Sequence, residues 1–155
     1  MKPTVYLETS FVGYLTARPA RDVIVLANQQ LTREWWERRR EDFEMFASAA
    51  VRREAGAGNA EAARERLAVL EGIASLSVTD EAGRLAGAFL AEGALPEKAA
   101  EDALHVAIAA TNGMDYLLTW NCKHIANATL RNLIEQVCRS NGYVTPTICT
   151  PAELF

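Results

Sequence analysis

Four residues stand where the chain could do phosphate chemistry. Glu8 directly follows the apolar run Val5-Tyr6-Leu7, and Asn121 follows Tyr116-Leu117-Leu118-Thr119 with only Trp120 between. Glu54 sits near the end of a short helical segment, beside Gly56 and Gly58, which let the chain bend tightly. Asp102 lies inside residues 99–110, a helix that is apolar on nearly every side. A carboxylate buried there costs on the order of several kcal/mol unless something cationic offsets it. Neither Glu54 nor Asp102 has a basic residue four positions further on to form a surface pair. Glu8, Glu54 and Asp102 brought together without a local cation would repel one another. A hard divalent ion resolves that conflict. Mg²⁺ takes oxygen ligands, keeps several waters and commonly uses one or two carboxylates plus phosphate oxygens. Held there, it would activate water against a phosphodiester.

Plainer readings stand beside these. Glu8 also suits a helix start, where the dipole favours an acid. Glu54 also reads as a solvated helix-end residue next to Arg52 and Arg53, Asp102 as a structural cap or ion pair, and Asn121 as a turn residue. His105, three residues after Asp102, reads as a hydrogen-bonded core histidine. Cys122-Lys123-His124 carries too few soft ligands for a metal site, which leaves a structural or surface role. Trp35-Trp36 with Arg38, Arg39 and Arg40 could grip RNA. Glu34, Glu37, Glu41 and Asp42 surround those arginines, so a solvated face with one packed Trp fits equally. Lys123 and Arg52 or Arg53 are better placed to touch phosphate.

The elements that must position these residues are short. Val5 to Leu7 predicts a buried strand, and Thr9 or Ser10 a cap for a helix over 11–15 that Arg18-Pro19 breaks. A long helix follows over 23–40. Residues 43–47 suit a strand, with helix as the alternative. Ser48 caps a helix carrying Val51 and Glu54, and Asn59 caps one with Ala63, Leu67 and Leu70 on a single stripe. A strand is expected over 76–78, a helix from Asp80 to Gly93, and another from Pro96 to Thr111. Tyr116 to Thr119 is the clearest strand. Leu130, Leu133, Ile134, Val137 and Cys138 mark an amphipathic helix ended by Gly142. Thr147-Ile148-Cys149 is a last strand, and Pro151 opens a terminal turn. Apolar strands alternating with helices predict a parallel sheet covered on both faces. Ligands then gather beyond the carboxyl ends of the strands. Asp115 precedes the fourth strand, so five residues at about 3.3 Å put it roughly 16 Å away, at the wrong end.

The whole chain is compatible with this. Its 155 residues predict one domain over 1–155, with 50% hydrophobic and 23% charged residues excluding a disordered class. A net charge of −4 argues against broad electrostatic binding to nucleic acid, though not against an RNA enzyme with local basic groups. Three cysteines suit free thiols in a reducing compartment rather than a disulfide framework. With no signal-like start and no long apolar run, the expected location is the cytoplasm, away from membranes.

Four segments in order, Val5–Ser10, Val51–Ala55, Asp102–Ala107 and Asp115–Asn121, resemble the PIN domain, most closely the VapC-like toxins of type II toxin–antitoxin systems. The resemblance spans essentially the whole chain. It implies a three-layer α/β/α fold with a small central parallel sheet, and a ribonuclease dependent on Mg²⁺ or Mn²⁺. It places the acidic positions on Glu8, Glu54 and Asp102, and the fourth on Asn121, with Thr9, Ser10 and Thr119 as flanking polar residues. Glu8 stands where Asp is commoner, and Asn121 offers a neutral carbonyl oxygen where the family has a carboxylate. Whether one ion or two would bind stays open. RNA substrate, an antitoxin protein and a homodimer are the implied partners. The alternative is a catalytically weak PIN module that binds RNA or a protein. A receiver-type phosphotransfer domain would need a Lys after the last strand, and this chain has no Lys beyond Lys123; nor does a G-x-G-x-x-G follow any strand.

Overall fold

The computed structural model describes Met1–Phe155. Five strands form one sheet: β1 (Thr4–Leu7), β2 (Glu44–Ser48), β3 (Ala74–Leu76), β4 (Tyr116–Leu118) and β5 (Thr147–Cys149). All neighbours pair parallel in the order β3-β2-β1-β4-β5. The central strands carry no alternation because both faces are covered. Val5, Tyr6, Leu7, Leu117 and Leu118 are all fully buried.

Seven helices connect the strands: α1 (Thr9–Thr16), α2 (Val23–Arg39), α3 (Ala49–Ala55), α4 (Ala60–Leu70), α5 (Asp80–Ala91), α6 (Ala100–Thr111) and α7 (Ala128–Ser140). From β1 the chain winds outward through β2 to β3, then crosses back and winds the other way through β4 to β5. With right-handed crossovers this places the helices in two layers on opposite faces. Packing agrees: α1 meets α2, α3 and α4, whereas α5 meets α6 and α7. The reversal lies between β1 and β4, so the crevice beyond their carboxyl ends is the natural place for a ligand.

Most elements fall where patterning puts them. Ser48 and Asn59 cap α3 and α4 by accepting from Val51 and Ala62 backbone N–H groups. The segment at 44–48 is strand, the alternative of helix being excluded by its pairing with β1. Three details differ. The third strand is Ala74–Leu76 rather than 76–78, because register with Phe46 to Ser48 of β2 sets it, and Val78 is exposed. The helix expected from Pro96 opens with a 3₁₀ turn over Glu97–Ala99 before α6. Leu67 is exposed while Ala63 and Leu70 are buried, so the stripe of α4 is narrower than its spacing implies. The three cysteines are free thiols. No helix is long and apolar enough to cross a membrane.

Candidate functional site

Glu8 leaves β1 as the residue before α1, and its backbone N–H still donates to Leu118 O of β4. It is only 5% exposed. Its Oε1 accepts from Ser10 Oγ at 2.5 Å and Thr119 Oγ1 at 2.6 Å. Each hydroxyl is aimed by a backbone donor, Trp120 N–H into Ser10 Oγ and Asn121 N–H into Thr119 Oγ1. The expected capping role of Thr9 and Ser10 is therefore corrected. α1 begins without a side-chain cap, and both hydroxyls go to carboxylates.

Glu54 lies six residues past the Ser48 cap, about 9 Å along α3. The far end of that helix is held by Arg66, which donates to Ala55 O and Ala57 O. Glu54 Oε1 accepts from Thr9 Oγ1 at 2.5 Å and from His105 Nε2 at 2.6 Å. His105 is fully buried on α6, and its Nδ1 lies 2.8 Å from Tyr6 Oη, which lies 2.8 Å from Ser48 Oγ. Burial alone would lower the His105 pKa. The bond to Glu54 and the charges of Glu8, Glu54 and Asp102 outweigh it and hold the ring above its ordinary value. Burial likewise pushes Glu54 up, but His105, Thr9 and Arg53 together hold it below the usual carboxylate range. The two groups lie 2.6 Å apart and form an ion pair whenever the ring is protonated. With the ring protonated, Nε2–H donates to Glu54 and Nδ1–H to Tyr6, whose hydroxyl then donates to Ser48. Burial raises the Tyr6 phenol far above its ordinary value, so it stays a neutral link.

Asp102 stands one turn before His105 on α6, and its Oδ2 accepts from His124 Nδ1 at 2.9 Å. His124 belongs to the turn after β4, where its backbone N–H donates to Asn121 Oδ1 at 3.0 Å. The Asn121 side chain thus closes a turn, while its backbone N–H orients Thr119 toward Glu8. Asp115 lies at the other end of the sheet, as expected, with Oδ2 accepting from the Thr4 N–H and hydroxyl.

Glu8, Glu54 and His105 each bring a ligand atom within 4.8 Å of the others. Asp102 is outside that group of three. Both His105 nitrogens already have partners, so the ring is a brace more than a free ligand. The carboxylates are different. Glu8, Glu54 and Asp102 each commit one oxygen to protein donors and leave the other without one. No side-chain nitrogen or oxygen sealed from solvent lacks a partner, so those three oxygens reach solvent. The open oxygens of Glu8 and Glu54, from two elements and each backed by a donor, fit a hard divalent cation, with Asp102 one turn before His105 on α6.

Spacing alone missed Tyr6, Ser48 and the bracing roles of both histidines. Tyr6 carried a usable signal, since residues i and i+2 share a face and Tyr6 shares that of Glu8. His105 shares a helix face with Asp102 in the same way. Arg52 is not available to phosphate: it donates to Ser75 Oγ, Leu70 O and Ile73 O. Arg53 pairs with Glu101, and Lys123 is exposed without an ion pair. Trp35 is fully buried and Arg40 sits over Trp36, which favours the packed face over an RNA grip.

No protein-family model and no curated protein matches the chain. Solved structures do. Mycobacterium tuberculosis VapC20, described as a sarcin–ricin loop cleaving toxin, superposes with a TM-score of 0.62 at 17% identity, covering 81% of this chain and 95% of its own. VapBC2 from Rickettsia felis, bound to a DNA fragment from its promoter, gives 0.52 at 15% identity, covering 95% and 98%. The fold is PIN-like. At these identities the likeness is one of fold, and within this PIN-like fold the acidic residues lie at the switch point of the sheet.

Proposed function

We propose that the chain is a metal-dependent endoribonuclease, the toxin of a type II toxin–antitoxin pair. The observation that carries the reading is the trio Glu8, Glu54 and Asp102. Each has one braced and one open oxygen, beyond the carboxyl ends of the sheet in a fold shared with VapC toxins. Mg²⁺ or Mn²⁺ would be held by Glu8 and Glu54, with Asp102 joining directly or through one of the waters that such ions keep. When bound, the ion supplies a Lewis acid that lowers the pKa of water and screens phosphate charge. The protein's own part is to hold each carboxylate by one oxygen and leave the other open to solvent. Ser10 and Thr119 fix Glu8, Thr9 and His105 fix Glu54, and His124 fixes Asp102. Hydrolysis adds a water oxygen to phosphorus and breaks one P–O ester bond, the leaving oxygen taking a proton. Lys123, exposed and next in sequence to His124, suits a backbone phosphate.

The same reading makes this a single cytoplasmic domain with an antitoxin as its protein partner, and a homodimer as its expected assembly. One observation favours the second reading, a catalytically weak PIN module. The Asn121 side chain is spent on the His124 N–H, so the fourth acidic position supplies no charge. Incubation with structured and unstructured RNA in Mn²⁺, with chelator as control, separates the two. The nuclease reading expects cleavage that chelator stops. Binding without cleavage selects the weak module.

A further inference from the structure

The chain has two histidines, and both donate to carboxylates of the candidate site. His105 Nε2 meets Glu54 Oε1, and His124 Nδ1 meets Asp102 Oδ2. Each ring is itself anchored. Tyr6 and Ser48 hold His105 from β1 and β2 through a chain with no exposed member. Asn121 holds the His124 backbone through the turn after β4.

We propose that His105 and His124 are positioning residues, each fixing one oxygen of its carboxylate so that the other faces the metal. The proposal rests on the metal-site reading above. A free glutamate side chain rotates about three bonds, so an unbraced Glu54 would present either oxygen in several directions and would have to be ordered on binding. The Ser48–Tyr6–His105 chain removes that freedom beforehand. It ties α3 to α6 through the sheet, because Ser48 also caps α3 by accepting from Val51 N–H. Asn121, neutral where a carboxylate stands in the resembling family, serves here as the anchor of the second brace. The two braces differ in kind. His105 is fully buried, whereas the His124 side chain keeps 16% of its surface exposed and has only one ring nitrogen engaged. The His105 brace should therefore matter more.

Calorimetric titration of the full chain with Mn²⁺, together with melting curves in chelator, tests this. The variants are His105→Leu, His105→Gln, Tyr6→Phe, His124→Leu and His124→Asn. Braces of this kind are worth about 10–100-fold in metal affinity. His105→Leu should weaken Mn²⁺ binding toward the upper part of that range and His124→Leu toward the lower. Gln at 105 places a donor near the lost Nε2 and Asn at 124 one near the lost Nδ1, so both should recover most of the affinity. A role in packing alone would lower melting temperatures without that pattern of rescue. If His105→Leu does not fold, Tyr6→Phe reads the same brace by freeing only the ring, and should also weaken Mn²⁺. Wild-type affinity in folded Tyr6→Phe and His124→Leu overturns the proposal while leaving the metal site standing. A wild-type protein that binds no Mn²⁺ overturns both.

Discussion

The two ends of the β1–β4 pair are built from the same parts and come out differently. At the amino end, Asp115 accepts from the Thr4 N–H and hydroxyl, and the Asp115 N–H donates back to Thr4 Oγ1. At the carboxyl end, Glu8 accepts from the Thr119 hydroxyl across the same two strands. The first is a closed, exposed clasp. The second is buried, and Glu54 and His105 crowd against it. A carboxylate alone in solvent needs only a local donor, whereas carboxylates drawn together and partly out of water need several donors to offset their repulsion. Position along the sheet, more than residue type, separates structure from chemistry here.

The largest effect should come from exchanging charge at each end. Glu8→Gln, Glu54→Gln and Asp102→Asn should each abolish RNA cleavage, while Asp115→Asn leaves it near wild type. Rates on one RNA under Mn²⁺ check this, and equal loss in a folded Asp115→Asn protein would erase the distinction between the ends. On stability the order reverses. Asp115→Ala opens the clasp and should cost about 1–2 kcal/mol in urea denaturation without altering the response to Mn²⁺. A stability change near zero would mean the clasp is ornamental.

In chelator, the carboxyl end should also respond to pH. Glu54 titrates lower in the fold than its ordinary 4.5, so its contribution is present above that value and lost as pH falls through the folded pKa. His105 titrates above its ordinary 6.5, so its contribution is complete below that value and lost as pH rises through the folded pKa. The pair should thus stabilise most between the two. Glu54→Gln should flatten the alkaline limb of urea midpoints plotted against pH, and an unchanged limb would show that the ion pair contributes nothing.

The smallest expected effect is at Asn121. Asn121→Asp keeps an oxygen for the His124 N–H and adds a charge, so the turn should survive. The variant should melt earlier than its parent in chelator and later in Mn²⁺, with severalfold tighter binding. Identical melting under both conditions would place this side chain outside the site.

Local rules made much of this legible. Ser48 and Asn59 announced their helices, Tyr116 to Leu118 announced a buried strand, and counting residues along β4 sent Asp115 to the far end. What stayed hidden depends on partners distant in the chain. The Thr9 hydroxyl looks like a cap until Glu54, 45 residues on, arrives to receive it. β3 takes its register from β2 and not from its own most apolar residues. His105 reads correctly as a buried, hydrogen-bonded histidine, but that its partner is Glu54 follows only once α3 and α6 meet over Tyr6.

Thermal melting with Mn²⁺ reads out whether the carboxyl end of the sheet takes a divalent ion. At about 100 times its dissociation constant, an ion that binds only the folded state adds about 2.7 kcal/mol. For a chain of this size that is roughly 5–10 °C. Wild type and Asp115→Asn should show this shift alike, and Asp102→Asn should lose most of it. A wild-type melting temperature unmoved by millimolar Mn²⁺ would rule out an ion at this end of the sheet, and a full shift retained in Asp102→Asn would rule out Asp102 as part of its site.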